Sequence, residues 1–271
     1  MAITIRKLAA SADKPITRRI MLYGDSGAGK TFFAGSAQDV ADMQDVLVAN
    51  IDRGVATLLS RGDIQTTDIG GAGNLEELIW MLIRKDPAVA SIRTLVLDGG
   101  SELQKLDLQQ IADQAAKDDK ADKRDRDANE LRDYMKNKNR LLRVFRMARD
   151  IPDITLIITA WAQKKYPNDN KNAAPSVIQP DMTDAVRSTL VGYMDDVWYI
   201  THDSAKDQRY LYTGAMGPVF AKTRDAAVAA ELQTDGKPYI VNPTFTNVYR
   251  AYRRAYDVAT YKKAKGESEQ K

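Results

Sequence analysis

Residues Gly24-Asp25-Ser26-Gly27-Ala28-Gly29-Lys30-Thr31 satisfy the pattern G-x-x-x-x-G-K-[ST], with glycines, a lysine and a hydroxyl at fixed spacing. Glycines let a backbone curl until successive N–H groups point inward, and a helix starting near Lys30 would add its positive end, so the segment suits phosphate oxygens. Lys30 is placed to reach the β- and γ-phosphates of a nucleoside triphosphate. The Thr31 hydroxyl is placed to coordinate Mg2+, a hard cation that takes oxygen ligands. Phe32, the next residue, joins the nucleotide-contacting set. ATP and Mg2+ are the expected cofactors.

Two carboxylates could complete this chemistry. Thr94-Leu95-Val96-Leu97-Asp98 is an apolar run ending in an acid, and Asp98 there would hold magnesium beside the phosphate loop. Taken by itself, an aspartate in that place would serve as a helix N-cap or turn residue. Asn50-Ile51-Asp52-Arg53-Gly54 ends a second apolar run, where Asp52 could polarise an attacking water or initiate the turn before Gly54.

The elements that must position these groups alternate along the first half of the chain. Residues 20–23, 46–51, 95–97 and 155–159 are near-continuous apolar runs that read as buried parallel strands. Between them, residues 31–43, 75–85, 102–117 and 131–150 carry apolar side chains at three-to-four spacing, which predicts helices. Right-handed crossovers then give an α/β fold with a mainly parallel central sheet flanked by helices, and ligands at the carboxyl ends of the strands. Beyond Pro180, a helix over 184–194 precedes runs at 197–201, 210–213 and 219–222, which read as an antiparallel β-meander extending that sheet. Asn242 and Pro243 separate a domain spanning 1–243 from a C-terminal helix and tail at 244–271. That helix carries Tyr249, Tyr252 and Tyr256 at helical spacing among arginines and lysines, a stripe suited to packing on the domain or to nucleic acid.

Composition narrows the classes. The 271 residues are 44% hydrophobic and 28% charged, as expected of a globular chain with one large core. No apolar run is long enough to cross a bilayer, and the first dozen residues lack a signal-peptide pattern, so a cytoplasmic location without membrane partners is expected. With no cysteine and a single histidine, His202, the chain has no disulfide, thiolate nucleophile or histidine-rich metal centre, and any metal must sit on oxygen ligands. A net charge of +3 permits nucleic-acid binding without requiring it. The charge-mixed stretch at 117–140, whose signs nearly cancel, reads first as a solvated helix or loop.

Taken together these positions resemble the RecA-like P-loop ATPases, most closely the phage-type nucleotide-binding proteins of that class, several of which act as single-strand annealing recombinases. The likeness covers residues 18–224 and rests on the phosphate loop, Asp52, Asp98 with Ser101 nearby, the polar end of Leu156-Ile157-Ile158-Thr159-Ala160, and Phe220-Ala221-Lys222-Thr223-Arg224. Only the phosphate loop is highly specific. The resemblance implies that Thr159, with Gln163 as a second candidate, senses the γ-phosphate. It also implies DNA-binding loops at 117–138 and 163–179, where Lys164, Lys165, Tyr166 and Lys171 combine cations with an aromatic face. Lys222 and Arg224 become candidate cations reaching across a subunit interface to stabilise transition-state charge.

One position departs from the pattern. RecA-like proteins commonly place a water-activating glutamate two residues beyond the acid of the second strand, and Gly54 stands there instead. The resemblance therefore implies binding of ATP more directly than its hydrolysis, with Asp52 or Glu102 as alternative bases. The expected function is an ATP-binding, ATP-hydrolysing DNA-binding protein of phage-type recombination or single-strand annealing. Its expected partners are single-stranded DNA, further copies of itself in a ring or filament, and a single-strand-binding or replication protein. For a phage-encoded chain the compartment would be the host cytoplasm. The alternatives are a nucleotide-gated protein-interaction module of replication or packaging machinery that does not touch DNA, and a small-molecule kinase.

Overall fold

The computed structural model describes residues 16–118 and 128–268. Strands β1 (Arg19–Gly24), β2 (Val46–Asn50), β4 (Thr94–Asp98) and the start of β5 (Thr155–Lys165) are buried on both faces, which is why they are unbroken apolar runs rather than alternating ones. Edge strand β3 (Gln65–Asp68) is polar and largely exposed, and no apolar signal marks it. On the other side of β1 from β5 lies β7 (Asp196–Asp203), followed by β8 (Gln208–Tyr212) and β10 (Tyr239–Val241). The order β10-β8-β7-β1-β5-β4-β2-β3 makes one sheet whose members from β7 to β3 run parallel.

Alternate side chains of each strand enter two cores. Met21 and Tyr23, Leu47 and Ala49, Leu95 and Leu97, and Leu156 and Ile158 face α2 (Ala72–Arg84), α4 (Leu131–Arg149) and α5 (Asp184–Tyr193). Ile20 and Leu22, Val46 and Val48, Val96, Ile157, Trp198 and Ile200 face α1 (Lys30–Gly35), α6 (Ala226–Glu231) and α7 (Phe245–Ser268). The period of two along a strand thus supplies both layers of the sandwich. A further helix, α3 (Gly100–Asp118), follows β4 directly and seats Leu103 in the first core.

Three expectations are corrected. The helix expected over 31–43 is α1 alone, six residues long, continued by 3-10 turns at Ser36–Asp39 and Ala41–Met43. Ser36 explains the change: its Oγ donates back to the Phe33 carbonyl at 2.7 Å and accepts the Phe245 amide at 3.0 Å, so it tightens the turn while capping α7. The segment 163–179 is a β-hairpin rather than a loop, because β5 continues to Lys165 and pairs antiparallel with β6 (Val177–Pro180). The third meander strand is also different. β9 is only Lys222–Thr223 and pairs with β7, while the residues before it are taken by Ile178, whose amide donates to the Pro218 carbonyl and whose carbonyl accepts the Phe220 amide. β10 fills the outer place on β8 instead.

Helix α7 is anchored by its tyrosines, which settles the packing reading of that stripe. Tyr249 donates to Asp42, Tyr252 donates to Asp196, and Tyr256 accepts from Arg18. Asp196 has no exposed surface and takes both Nε and Nη2 of Arg18 at 3.0 Å, a bidentate pair closing the amino-terminal edge of the sheet. Replacing Arg18 by alanine strands a buried carboxylate, for which the expected loss of stability is about 3–5 kcal/mol. The denaturant midpoint should fall accordingly, and an unchanged midpoint would show that Asp196 finds water instead.

Candidate nucleotide-binding site

The turn from β1 into α1 is held tightly at its start and open at its middle. A Cβ on Gly24 would stand 2.2 Å from the Ile200 carbonyl oxygen, so only glycine lets β1 leave the sheet this close to β7. Gly27 and Gly29 have φ of 74° and 96°, the left-handed turns that aim the intervening amides at one point. Because α1 is short, the loop amides and Lys30 supply most of the positive potential here.

Lys30 is buried, and its Nζ donates to the loop's own carbonyls, Gly24 O at 3.0 Å and Asp25 O at 2.9 Å. Burial pulls its pKa down, opposed by Asp98, Asp52 and Asp25. The ammonium is therefore braced inside a ring of acids, where the oxygens of a phosphate would be better partners than two neutral carbonyls.

Asp98 lies at the end of β4 with no exposed surface. Its Oδ2 accepts the Thr31 hydroxyl at 2.8 Å and its Oδ1 accepts the Thr159 hydroxyl at 2.7 Å, while Thr159 accepts the Gly99 amide at 2.9 Å. Strand order explains the meeting: β5 sits between β1 and β4, so its Thr159 bridges the two strands that carry the loop and the acid. Thr31 and Asp98 together present the all-oxygen donor pair that suits magnesium, which usually keeps waters and phosphate oxygens for its other positions. The donor set fits that ion.

Burial raises the Asp98 pKa, the like charge of Asp52 adds to the rise, and the two hydroxyls and Lys30 oppose it. Asp52 itself is half-buried and its Oδ1 accepts the Gly54 amide at 3.0 Å, so the turn role is realised while the side chain also lines the pocket. A Cβ on Gly54 would lie 2.9 Å from Asp52 Oδ1 and 3.8 Å from Asp98 Oδ2. The position that commonly carries glutamate therefore does face the site, but Asp52 crowds it. Glu102, on the first turn of α3, does not line this pocket.

The pocket has a volume of about 470 Å³ and is lined by the phosphate loop, Thr31, Phe32, Asp52, Gly54, Thr57, Trp161 and Arg209. Arg209 and Trp161 carry no sequence signal of their own. Arg209 comes from β8, and a Cβ on Gly29 would lie 2.8 Å from its Nε, so the guanidinium overhangs the loop. Its backbone is pinned by Asn242 on both sides, and among the described residues its side chain makes no hydrogen bond or ion pair. Trp161 stands at the other side on β5, with the Lys105 ammonium 3.9 Å above its ring centroid and its amide on Ser101 Oγ.

Other expected residues lie apart. Gln163 faces Gln179 across the β5–β6 hairpin. Lys164 leaves the base of that hairpin to pair with Asp25 of the phosphate loop at 2.8 Å, Lys165 stands 3.7 Å from Asp184, and Lys171 is exposed in the connecting turn after Tyr166. Lys222 and Arg224 sit at the amino-terminal start of β7, the sheet edge opposite this chain's own loop. There they bond the last carbonyls of α5: Lys222 to Val191, and Arg224 to Gly192 and Met194, with Asp195 also paired to Arg224. Part of the expected 117–138 loop, residues 119–127, lies outside the described residues.

Loop, lysine, hydroxyl and buried acid on a mainly parallel α/β sheet define a P-loop nucleotide-binding fold. Residues 16–224 match the AAA domain family model, and the chain belongs to that family. Among solved structures, the RadB recombinase is similar over 72% of this chain and 80% of that one, at 13% identity and a TM-score of 0.38. A search of curated proteins returns no match.

Magnesium needs Asp98 ionised, and the raised pKa makes protons compete with it at higher pH than for an ordinary carboxylate near 3.9. The gain in nucleotide affinity on adding Mg2+ should therefore fade as pH drops through a window above that value, beyond the fading that protonation of the free nucleotide itself causes, and Asp98→Asn should remove that extra part. A Mg2+ effect unchanged down to pH 4 would contradict this assignment.

Proposed function

We propose that this chain is an ATP-hydrolysing, DNA-binding protein of recombination or single-strand annealing, of the kind found in phages, working as a ring or filament of identical subunits. The observation that carries this reading is the ion pair of Lys164 with Asp25. It ties the lysine-bearing hairpin directly to the loop that would hold ATP. A triphosphate entering the loop brings negative charge beside Asp25, and Lys30 would leave the Asp25 carbonyl for phosphate. Both changes alter what holds Lys164, so nucleotide state and hairpin geometry are linked through one residue.

Within the site, Lys30 and the loop amides bind and orient the triphosphate, and Thr31 and Asp98 would hold a magnesium ion, which would supply neutralising charge to the phosphates. Thr159 keeps Asp98 aimed while Asp52 orients water for in-line attack at the γ-phosphorus; ADP and phosphate leave. Arg209 closes over the loop from the same subunit. Lys222 and Arg224, on the far sheet edge, suit a head-to-tail assembly in which the lower edge of one subunit meets the phosphate loop of the next. A cation delivered that way stabilises charge in the transition state.

ATP turnover measured with and without single-stranded DNA tests the proposal. The wild-type chain should be stimulated several-fold by DNA, and Lys164→Ala combined with Lys165→Ala should lower that stimulation. Oligonucleotide binding should also weaken steeply from low to moderate salt. No oligonucleotide binding even at low salt, with ATP still bound, would favour a nucleotide-gated module acting on a protein.

A further inference from the structure

The antiparallel extension of the sheet has one covered face and one that is covered by the first core near Tyr199 and partly open further out. Ile200, Leu211 and Ile240 point into the core beneath α6 and α7. On the other face the strand register aligns Tyr199 of β7, Tyr212 of β8 and Tyr239 of β10 in a row across three strands, with Tyr210 beside it. Ring centroids are 5.8 Å apart from Tyr199 to Tyr212, 5.8 Å from Tyr212 to Tyr239 and 5.5 Å from Tyr239 to Tyr210. Tyr199 is buried, whereas Tyr210, Tyr212 and Tyr239 are partly buried. They floor a depression of about 330 Å³ rimmed by Lys206, Lys237, His202 and Met216.

Tyr199 and Tyr212 serve the first core, while Tyr210 and Tyr239 lie outside it with ring surface partly open to solvent. The rim carries two lysines, Lys206 and Lys237, against one acid, Asp203. Lys237 is exposed and makes no ion pair among the described residues, and Lys206 is only loosely paired, 3.8 Å from Asp203. Of the neighbouring acids, Asp203 is turned toward Lys206 and Asp207 toward His202. Met216 is the exposed aliphatic side chain of the rim among the described residues, and the rest of the lining is aromatic or polar. Flat rings that tolerate any base, flanked by ammonium groups for phosphates, are what single-stranded nucleic acid requires. The inner end of the row also meets the nucleotide site: Tyr199, whose hydroxyl burial pushes up, is within electrostatic reach of Asp25 and Lys164.

We propose that the partly open face of β7, β8 and β10 is a base-stacking platform for single-stranded nucleic acid, with Tyr210, Tyr212 and Tyr239 stacking bases and Lys206 and Lys237 contacting phosphates. It is a surface separate from the β5–β6 hairpin, and it rests on the reading that this chain binds DNA. A strand lying on it runs from the Lys164 end of the hairpin outward along the tyrosine row.

Fluorescence anisotropy with a labelled oligothymidylate and an abasic oligonucleotide of equal length separates stacking from charge. The wild-type protein should bind the oligothymidylate more tightly than the abasic strand. Tyr210→Ala with Tyr239→Ala should weaken oligothymidylate binding by about tenfold or more while leaving abasic binding and Mg·ATP affinity in place. Tyr210→Phe with Tyr239→Phe keeps the rings and should restore the preference, which a merely folded-state effect of the hydroxyls would not do. Lys206→Ala and Lys237→Ala should each reduce the salt slope by about one on both strands. If the wild-type protein binds neither strand, the DNA-binding reading itself falls. If it binds both and the alanine pair binds them unchanged, that reading stands, the platform is wrong, and the face is left to a protein partner.

Discussion

Asp98 accepts hydroxyls from Thr31 and Thr159, residues that reach it from the phosphate loop and from the neighbouring strand. A carboxylate without exposed surface is costly unless its oxygens are satisfied, and these two bonds, with Lys30 nearby, meet that demand without a salt bridge. The consequence is geometric. The loop cannot shift relative to the sheet without uncovering a buried charge, so the position of Lys30 is set by the same group that would hold the metal. The β7-β1-β5-β4 order makes this possible, since it places Thr159 between the loop strand and the acid strand.

The two edges of the sheet do different work. At the carboxyl edge, the loop, Asp52, Asp98, Trp161 and Arg209 converge around one pocket. At the amino edge, Arg18 and Asp196 close the core and fix α7, while Lys222 and Arg224 cap α5. Cations thus serve packing at one end of the strands, while the other end carries the phosphate loop.

Much of this was legible from residue types, for physical reasons that also mark where reading stopped. Strands buried on both faces announce themselves as apolar runs, and the phosphate loop is specified by glycines that no other residue replaces. Asp98 and Thr159 could be placed because each ends such a run. Edge strand β3 is polar and gave no sign, and α1 was read too long because the back-bonding of Ser36 depends on a partner more than two hundred residues away. Arg209 was invisible for the same reason: only the pairing of β8 with β7 brings it over Gly29. The Lys164–Asp25 ion pair, likewise, joins residues far apart in the chain that only the β1–β5 pairing brings together.

The central claim is that Lys30 exchanges the carbonyls of Gly24 and Asp25 for the phosphates of a bound nucleotide. Titration calorimetry with Mg·ATP, on the wild-type chain and on Lys30→Ala, addresses it directly. Saturable binding at one site per chain is expected for the wild type, with a loss of at least tenfold in affinity for the variant and its fold intact. Equal affinities, or no heat of binding from the wild-type protein, would contradict it.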